Sequence, residues 1–315
     1  MSAEPPRRDF LKKAFWCSLA LGGTRGLGPL LPAPALAAVP VASGPTLGVA
    51  RNGTPTALAL AAVGVFGGMK KFVGRGDIVV VKPNIGWDRT PEQAANANPE
   101  VVKAVVRMCL DAGAKKVTVM DRPCNDPRRC YQRSGIEEAV LSLGDPAAVI
   151  QQMDERRFVP RPVTNAAGTT RDWLLYQDLL EADKRINIPI AKHHSAARLT
   201  LSLKNIMGIV GGNRGNIHHD LDGIIADLNT MLKFDLVVLD AVRILTANGP
   251  QGGRLQDVKQ IDTVVAGTDP VAVDAYAATF FGLTGYDIPH VVNAARAGLG
   301  EIDLKKVRIS TVNPG

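Results

Sequence analysis

The sequence predicts an open α/β fold, a mostly parallel sheet with helices on both faces. Three observations predict it. Short runs such as Ile78-Val79-Val80-Val81 are continuously apolar and β-branched, as strands buried on both faces are. Amphipathic helical stretches alternate with such runs along most of the chain. Polar residues follow the strands directly, at Lys82, Asp121, Lys192, Asp240 and Asp269, where open parallel sheets bind their ligands.

Residues 1–37 read as an export signal. Arg7-Arg8-Asp9-Phe10-Leu11-Lys12 is similar to the twin-arginine pattern, and a weakly apolar stretch leads to the small-x-small end Ala35-Leu36-Ala37. Gly22, Gly23, Arg25, Gly26, Gly28 and Pro29 interrupt that stretch, so no stable membrane span is expected. The expected address is the periplasm or another exported location, reached through the twin-arginine export machinery. That route carries folded proteins, often with a cofactor already in place. An N-terminal helix that remains as an anchor is the plainer alternative. Residues 38–56, rich in Pro, Ala, Gly and Thr, read as a linker, and residues 57–315 as one α/β domain.

The elements follow in order. The strand at Ile78–Val81 ends at Lys82-Pro83-Asn84. Asn98 as N-cap and Pro99 at the first helical position open a helix with the apolar stripe Val101, Val102, Val105, Val106, Cys109 and Leu110, and Gly113 ends it. Val117–Met120 is the next strand, ending at Asp121, which completes a strand–helix–strand unit with a right-handed crossover. Helices near 134–143 and 170–183 lead to a strand over 185–190. A helix over about 220–233 precedes a strand over 236–239, ending at Asp240. Thr263–Gly267 is another strand, and Asp269-Pro270 opens a helix to about Phe281. A helix over 289–297 and a strand over 307–312 finish the chain. The alternation leaves the strand order open.

With 315 residues, 46% apolar and 21% charged, the chain can bury a core, and disorder, collagen and coiled coil are excluded as whole-chain descriptions. Net charge is +7, and residues 1–37 carry five basic and two acidic groups, so the remainder is +4. Aromatic residues are scarce at 5%, and no run of four Lys/Arg occurs beyond residue 37, so no nucleic-acid partner is expected. Cys109, Cys124 and Cys130 remain after the signal, enough for one internal disulfide at most. Cys124 and Cys130, close together in a polar loop, are the pair an oxidising compartment would join. No C-x-x-C spacing occurs, so there is no iron–sulfur cluster motif.

Lys192 to Asp220 is the segment richest in chemistry. It holds four of the five histidines, in the pairs His193-His194 and His218-His219. Imidazoles serve as metal ligands or as acid/base groups near neutral pH. Neighbours on a strand end point opposite ways, so one histidine of a pair reaches a shared site. Gly211-Gly212-Asn213-Arg214-Gly215-Asn216 offers backbone N–H groups and a guanidinium fork to an anion, although a ligand-free glycine turn reads the same way. Lys82 and Lys204 each follow an apolar run, and a lysine entering a core must pair, bind an anion or lose its proton, although solvated lysines at the ends of elements read the same way. Asp269 and Asp274 flank the start of one helix, where they either face a cation or a lysine, or serve as N-cap and helix-dipole carboxylates.

Lys82-Pro83-Asn84, Lys204-Asn205 followed by Gly208, Asp269-Pro270-Val271-Ala272-Val273-Asp274 and the closing Ala295-x-x-Gly298-Leu299-Gly300 resemble the bacterial and archaeal domain-of-unknown-function family 362. The resemblance spans roughly residues 45–312. It implies an α/β domain and no settled reaction. Many members carry an added ferredoxin-type cluster segment; this chain lacks the cysteines for one, so that electron-transfer association does not carry over. The segment around Lys204 also resembles, more loosely, lactate racemases, whose histidines and lysine hold a nickel-pincer group between two α/β domains.

The expected function is that of an exported enzyme acting on a small anionic molecule. Lys82, Asn84, Asn205 and Arg214 are the expected substrate-binding residues, and His193, His218 and Lys204 the catalytic ones. His194, Asp269 and Asp274 are the candidate ligands for a divalent metal ion, the cofactor these residue types admit. The rival is a non-catalytic periplasmic protein that holds a ligand or metal for a partner, a redox system among them. Either reading needs Lys82, His193, Lys204 and Asp274 to meet on one rim.

Overall fold

The computed structural model describes residues 44–164 and 168–315; the expected export signal lies outside the described residues. Within the stretch expected to be a linker, Thr46–Arg51 is instead a strand, β1, with Leu47, Val49 and Ala50 fully buried. Helix α1 (Pro55–Gly64) follows, capped by Thr54, whose hydroxyl accepts from the Ala57 N–H.

The predicted strand–helix–strand unit forms as β2 (Ile78–Pro83), α2 (Pro99–Asp111) and β3 (Lys116–Val119). Asn98 caps α2 by accepting from the Glu100 N–H at 3.0 Å. Two short helices, α3 (Pro127–Arg133) and α4 (Ile136–Leu141), lead to β4 (Ala148–Ile150). The first half of the helix expected over 170–183 is a strand. β5 (Phe158–Thr164) and β6 (Thr170–Tyr176) make a separate antiparallel pair, and only α5 (Gln177–Glu181) is helical. The deciding contacts lie across the pair, Phe158 meeting Tyr176 edge to face at 5.0 Å, and a helical period within 170–183 does not register them.

The strand expected over 185–190 is two, β7 (Lys184–Ile188) and β8 (Ile190–His194), divided at Pro189, which has no N–H to give a ladder. β9 (Arg198–Thr200), α6 (Ser202–Asn205) and α7 (Leu221–Met231) come next. β10 (Leu236–Leu245) runs on past Asp240, its expected end, and β11 (Val258–Gly267) is twice the expected length. Helices α8 (Pro270–Ala278) and α9 (Pro289–Arg296) and strand β12 (Arg308–Val312) finish the domain. Among the described residues no helix is long and apolar enough to cross a membrane.

The main sheet has the order β12-β1-β11-β10-β7-β2-β3-β4, with β8 and β9 branching from β10. Along that path its pairs are parallel except where β11 lies antiparallel to both β1 and β10. Apolar layers cover both faces, as the expected α/β class requires. Val79 and Val81 point into the layer under α1, α2 and α4, while Val80 points into the layer under α6 to α9. The reversal of β11 matters for the site. Gly267 pairs with Val237 near the start of β10, so Asp269 emerges on the rim opposite the ends of β2 and β3.

Candidate functional site

The carboxyl ends of β2, β3 and β8 open into a cavity of about 500 Å³, roofed by residues from α6 to His218. Lys82 follows Val80 by two positions and therefore lies on the same face, beneath α6. It is fully buried and its three N–H groups are all used: they reach Asp121 Oδ1 at 2.8 Å, the Pro83 carbonyl at 3.0 Å and Asn205 Oδ1 at 3.1 Å. Burial pushes its pKa below the ordinary lysine value, with Asp121 opposing that shift. Asp121 is equally committed, since it also accepts from the Ile85 and Arg122 N–H groups. Gly208 packs directly on this ion pair. A Cβ there would overlap Asp121 Oδ1 and come within 2.6 Å of Lys82 Nζ, so only glycine fits.

Amides join Lys82 to the second lysine. Asn205 Oδ1 accepts from Asn84 Nδ2 at 2.8 Å, and Asn84 Oδ1 accepts from Lys192 Nζ at 3.0 Å. Lys192 also donates to the Ala95 carbonyl, which leaves one N–H for the cavity. Asn205 Nδ2 extends the network to Asn187 at 2.7 Å. Burial, and then the charge of Lys204, brings Lys192 down to about 7. Burial brings Lys204 down to about 8. Among the described residues its Nζ has one hydrogen-bond partner, Met207 Sδ at 3.5 Å. Among the described residues, Lys192 and Lys204 have no carboxylate within ion-pair distance.

Alternation along β8 places Lys192 and His194 on one face and His193 on the other, as expected of adjacent histidines. His194 lines the cavity. Its Nδ1 accepts from the Ala196 and Ala197 N–H groups, so the ring proton sits on Nε2. Burial, with Lys204 and Lys192 nearby, holds its pKa down at about 2, so the ring stays neutral. His193 instead accepts from the Gly249 N–H and faces a separate groove. His218 is exposed at the cavity wall. Arg214 lines it too, held by the carbonyls of Arg122 and Pro123.

Seven of the ten expected site residues thus share one cavity: Lys82, Asn84, His194, Lys204, Asn205, Arg214 and His218. The other three do not. His193 points away. Asp269 lies on the opposite rim, capping α8 through the Ala272 N–H and accepting from Glu301. Asp274 is fully buried and accepts from the Ser202 hydroxyl and the Ser202 and Leu203 N–H groups, so it braces the turn that carries Lys204. Burial raises it to about 7. Metal ligation by His194, Asp269 and Asp274 is therefore not available, because the three are apart. Among the described residues no group of three His, Cys, Asp or Glu side chains is placed to hold a metal ion. The cavity's lysines also oppose a cation there.

Lys192, Asp121 and Thr200 complete the site. The first two are visible as polar residues at strand ends. The Ile190-Lys192-His194 period of two was the signal that Lys192 shares a face with a histidine. Thr200 carries no such signal, since it joins only because β9 pairs Thr200 with Lys192. Cys124 lies exposed at the cavity and Cys130 is buried in α3; both are free thiols.

A thylakoid-associated protein of Synechocystis sp. is 26% identical over 241 residues, covering 74% of this chain and 72% of that protein. Among solved structures, a protein from Thermotoga maritima aligns with a TM-score of 0.47 at 12% identity, and the lactate racemase apoprotein from Thermoanaerobacterium thermosaccharolyticum with a TM-score of 0.38 at 8% identity. These two alignments cover 68% and 74% of this chain, which spans 56% of the length of each. A family model described as a domain of unknown function, DUF362, matches residues 79–279, a span that includes Lys82, Asp121, Lys192, Thr200 and Lys204. The chain belongs to the DUF362 family.

Proposed function

We propose that the cavity is an active site for a small anionic molecule bearing a carboxylate or a phosphate. One observation carries the reading: Lys192 and Lys204 line a cavity whose carboxylate, Asp121, is already spent on Lys82. Two lysines without counter-ions repel each other, and that repulsion is relieved when an anion enters. At an effective dielectric of about 20, an anion about 4 Å from one ammonium gains roughly 4 kcal/mol before its own desolvation is charged against it. Arg214 and the Nε2–H of neutral His194 add donors. Lys204, with a proton affinity near neutrality, is the group suited to exchange protons with the bound molecule.

Isothermal titration with inorganic phosphate, sulfate and oxalate tests this. Saturable binding of at least one is expected, weakened roughly tenfold to a hundredfold in Lys192→Met, the loss of a charged hydrogen bond. Binding of divalent cations with no response to any anion would overturn the proposal. The Arg7-Arg8 pattern supports an exported location for this activity, and fractionation of cells making the full-length chain checks it: protein confined to the cytosol would refute export.

A further inference from the structure

The three lysines of the cavity are not equivalent. Lys82 has three acceptors for three N–H groups, one of them the Asp121 carboxylate, so its nitrogen is engaged as an ammonium and offers no lone pair to a ligand. Lys192 is tethered by two acceptors and keeps one N–H for a ligand. Among the described residues Lys204 has a thioether sulfur as its hydrogen-bond partner and loses no strong hydrogen bond on becoming a free amine. A second observation points to a ligand. Thr200 is 4% exposed, lines the cavity, and its hydroxyl has no hydrogen-bond partner. A buried hydroxyl is rarely left so. Thr200 is the direct cross-strand neighbour of Lys192, so the two side chains stand together on one face. Two donors side by side match the two oxygens of a carboxylate.

We infer that the ligand is a small 2-oxo acid, its carboxylate held by Lys192 and Thr200 and its carbonyl carbon captured by Lys204 as an imine. The carboxylate half rests on the anion-site reading above; the covalent half does not follow from it. In the first step the Lys204 Nζ lone pair forms a bond to the carbonyl carbon, and the C–O π pair moves onto oxygen. That oxygen takes one proton from the new ammonium to give the carbinolamine. A second proton, from solvent at the cavity mouth, lets it leave as water while the nitrogen lone pair completes the C=N bond. The product is a protonated imine, positively charged beside the bound carboxylate, and no electrons are exchanged with a third party. Such an imine withdraws electrons from the adjacent carbon, which is the use of an unencumbered lysine in an anion site.

The test is reductive trapping on the full-length protein. Pyruvate, glyoxylate and glycolaldehyde phosphate are each added with sodium borohydride, and intact mass and peptide mapping follow. One adduct is expected, equal to the acid less one oxygen atom, saturable, suppressed by oxalate, and mapped to Lys204. Trapping of the 2-oxo acids but not the aldehyde phosphate fixes the carboxylate as the recognised anion; trapping of the aldehyde phosphate alone overturns that half. Lys204→Arg should abolish labelling with its thermal melt retained, and Thr200→Val should raise the half-saturating concentration about twofold to tenfold. If Lys204→Arg does not fold, the site mapped in the wild-type protein decides. No adduct, an adduct on Lys192, or unsaturable labelling spread over surface lysines would each overturn the inference. Oxalate binding retained in those cases leaves the anion site standing, whereas its loss removes both.

Discussion

Replacing Lys192 with methionine should remove a pH-dependent penalty on folding. Lys192 is 1% exposed and its proton affinity falls from the ordinary lysine value of 10.5 to about 7, mainly through burial. The sign follows from proton counting. Between pH 7 and 10.5 the unfolded chain holds a proton on this lysine that the native protein has released. Stability therefore rises with pH through that window. One released proton gives a slope of about 1.4 kcal/mol per pH unit, so the whole window amounts to roughly 5 kcal/mol. Methionine keeps most of the side-chain volume and cannot titrate. Urea unfolding at pH 7, 8 and 9 for wild type and Lys192→Met should show slopes differing by about 1.4 kcal/mol per pH unit, the wild type being steeper. Saturating oxalate, by holding the ammonium form in the native state, should flatten the wild-type slope and leave the variant unchanged. Equal slopes in the two proteins would refute the reasoning, for they would mean that Lys192 keeps the proton affinity of a solvated lysine.

Gly208→Ala should force apart the Lys82–Asp121 pair and cost about 3–5 kcal/mol, read from chemical unfolding, because it uncouples a buried charge from its partner. Asp274→Asn should cost about 1–3 kcal/mol and weaken oxalate binding in titration, since it loosens the turn that aims Lys204; unaltered binding would show that the turn holds itself. Asp269→Ala should lower stability by about 0.5–2 kcal/mol, as loss of an N-cap does, with anion affinity unchanged because the residue is on the far rim. His194→Ala should reduce anion affinity measurably in the same titration, whereas His193→Ala should leave it within about threefold, the two rings facing opposite sides of β8.

The legible part of the site was the part that chemistry near a strand end betrays. Lys82, at the end of Val79-Val80-Val81, stood out as a lysine entering a core, and Asn205 beside Lys204 offered the amide that now receives it. The period of two set His194 on the face of Lys192 and His193 on the other, but only the tertiary structure decided which face meets the cavity. Asp269 and Asp274 look like ligands because carboxylates at a helix start serve metals and backbones alike. The direction of β11 sent the first to the wrong rim, and the close packing of α6 on α8 turned the second into a brace.

By itself the sequence determined the class of fold, the crossover from β2 through α2 to β3, and the presence of lysines and carboxylates directly after the strands, because burial period and capping are local properties of the chain. Tertiary structure decided the strand order, the reversal of β11, the conversion of 170–176 into a hairpin strand, and the pairing of Thr200 with Lys192. Those outcomes depend on hydrogen bonds and packing between segments far apart in the chain, whose energies no local pattern encodes.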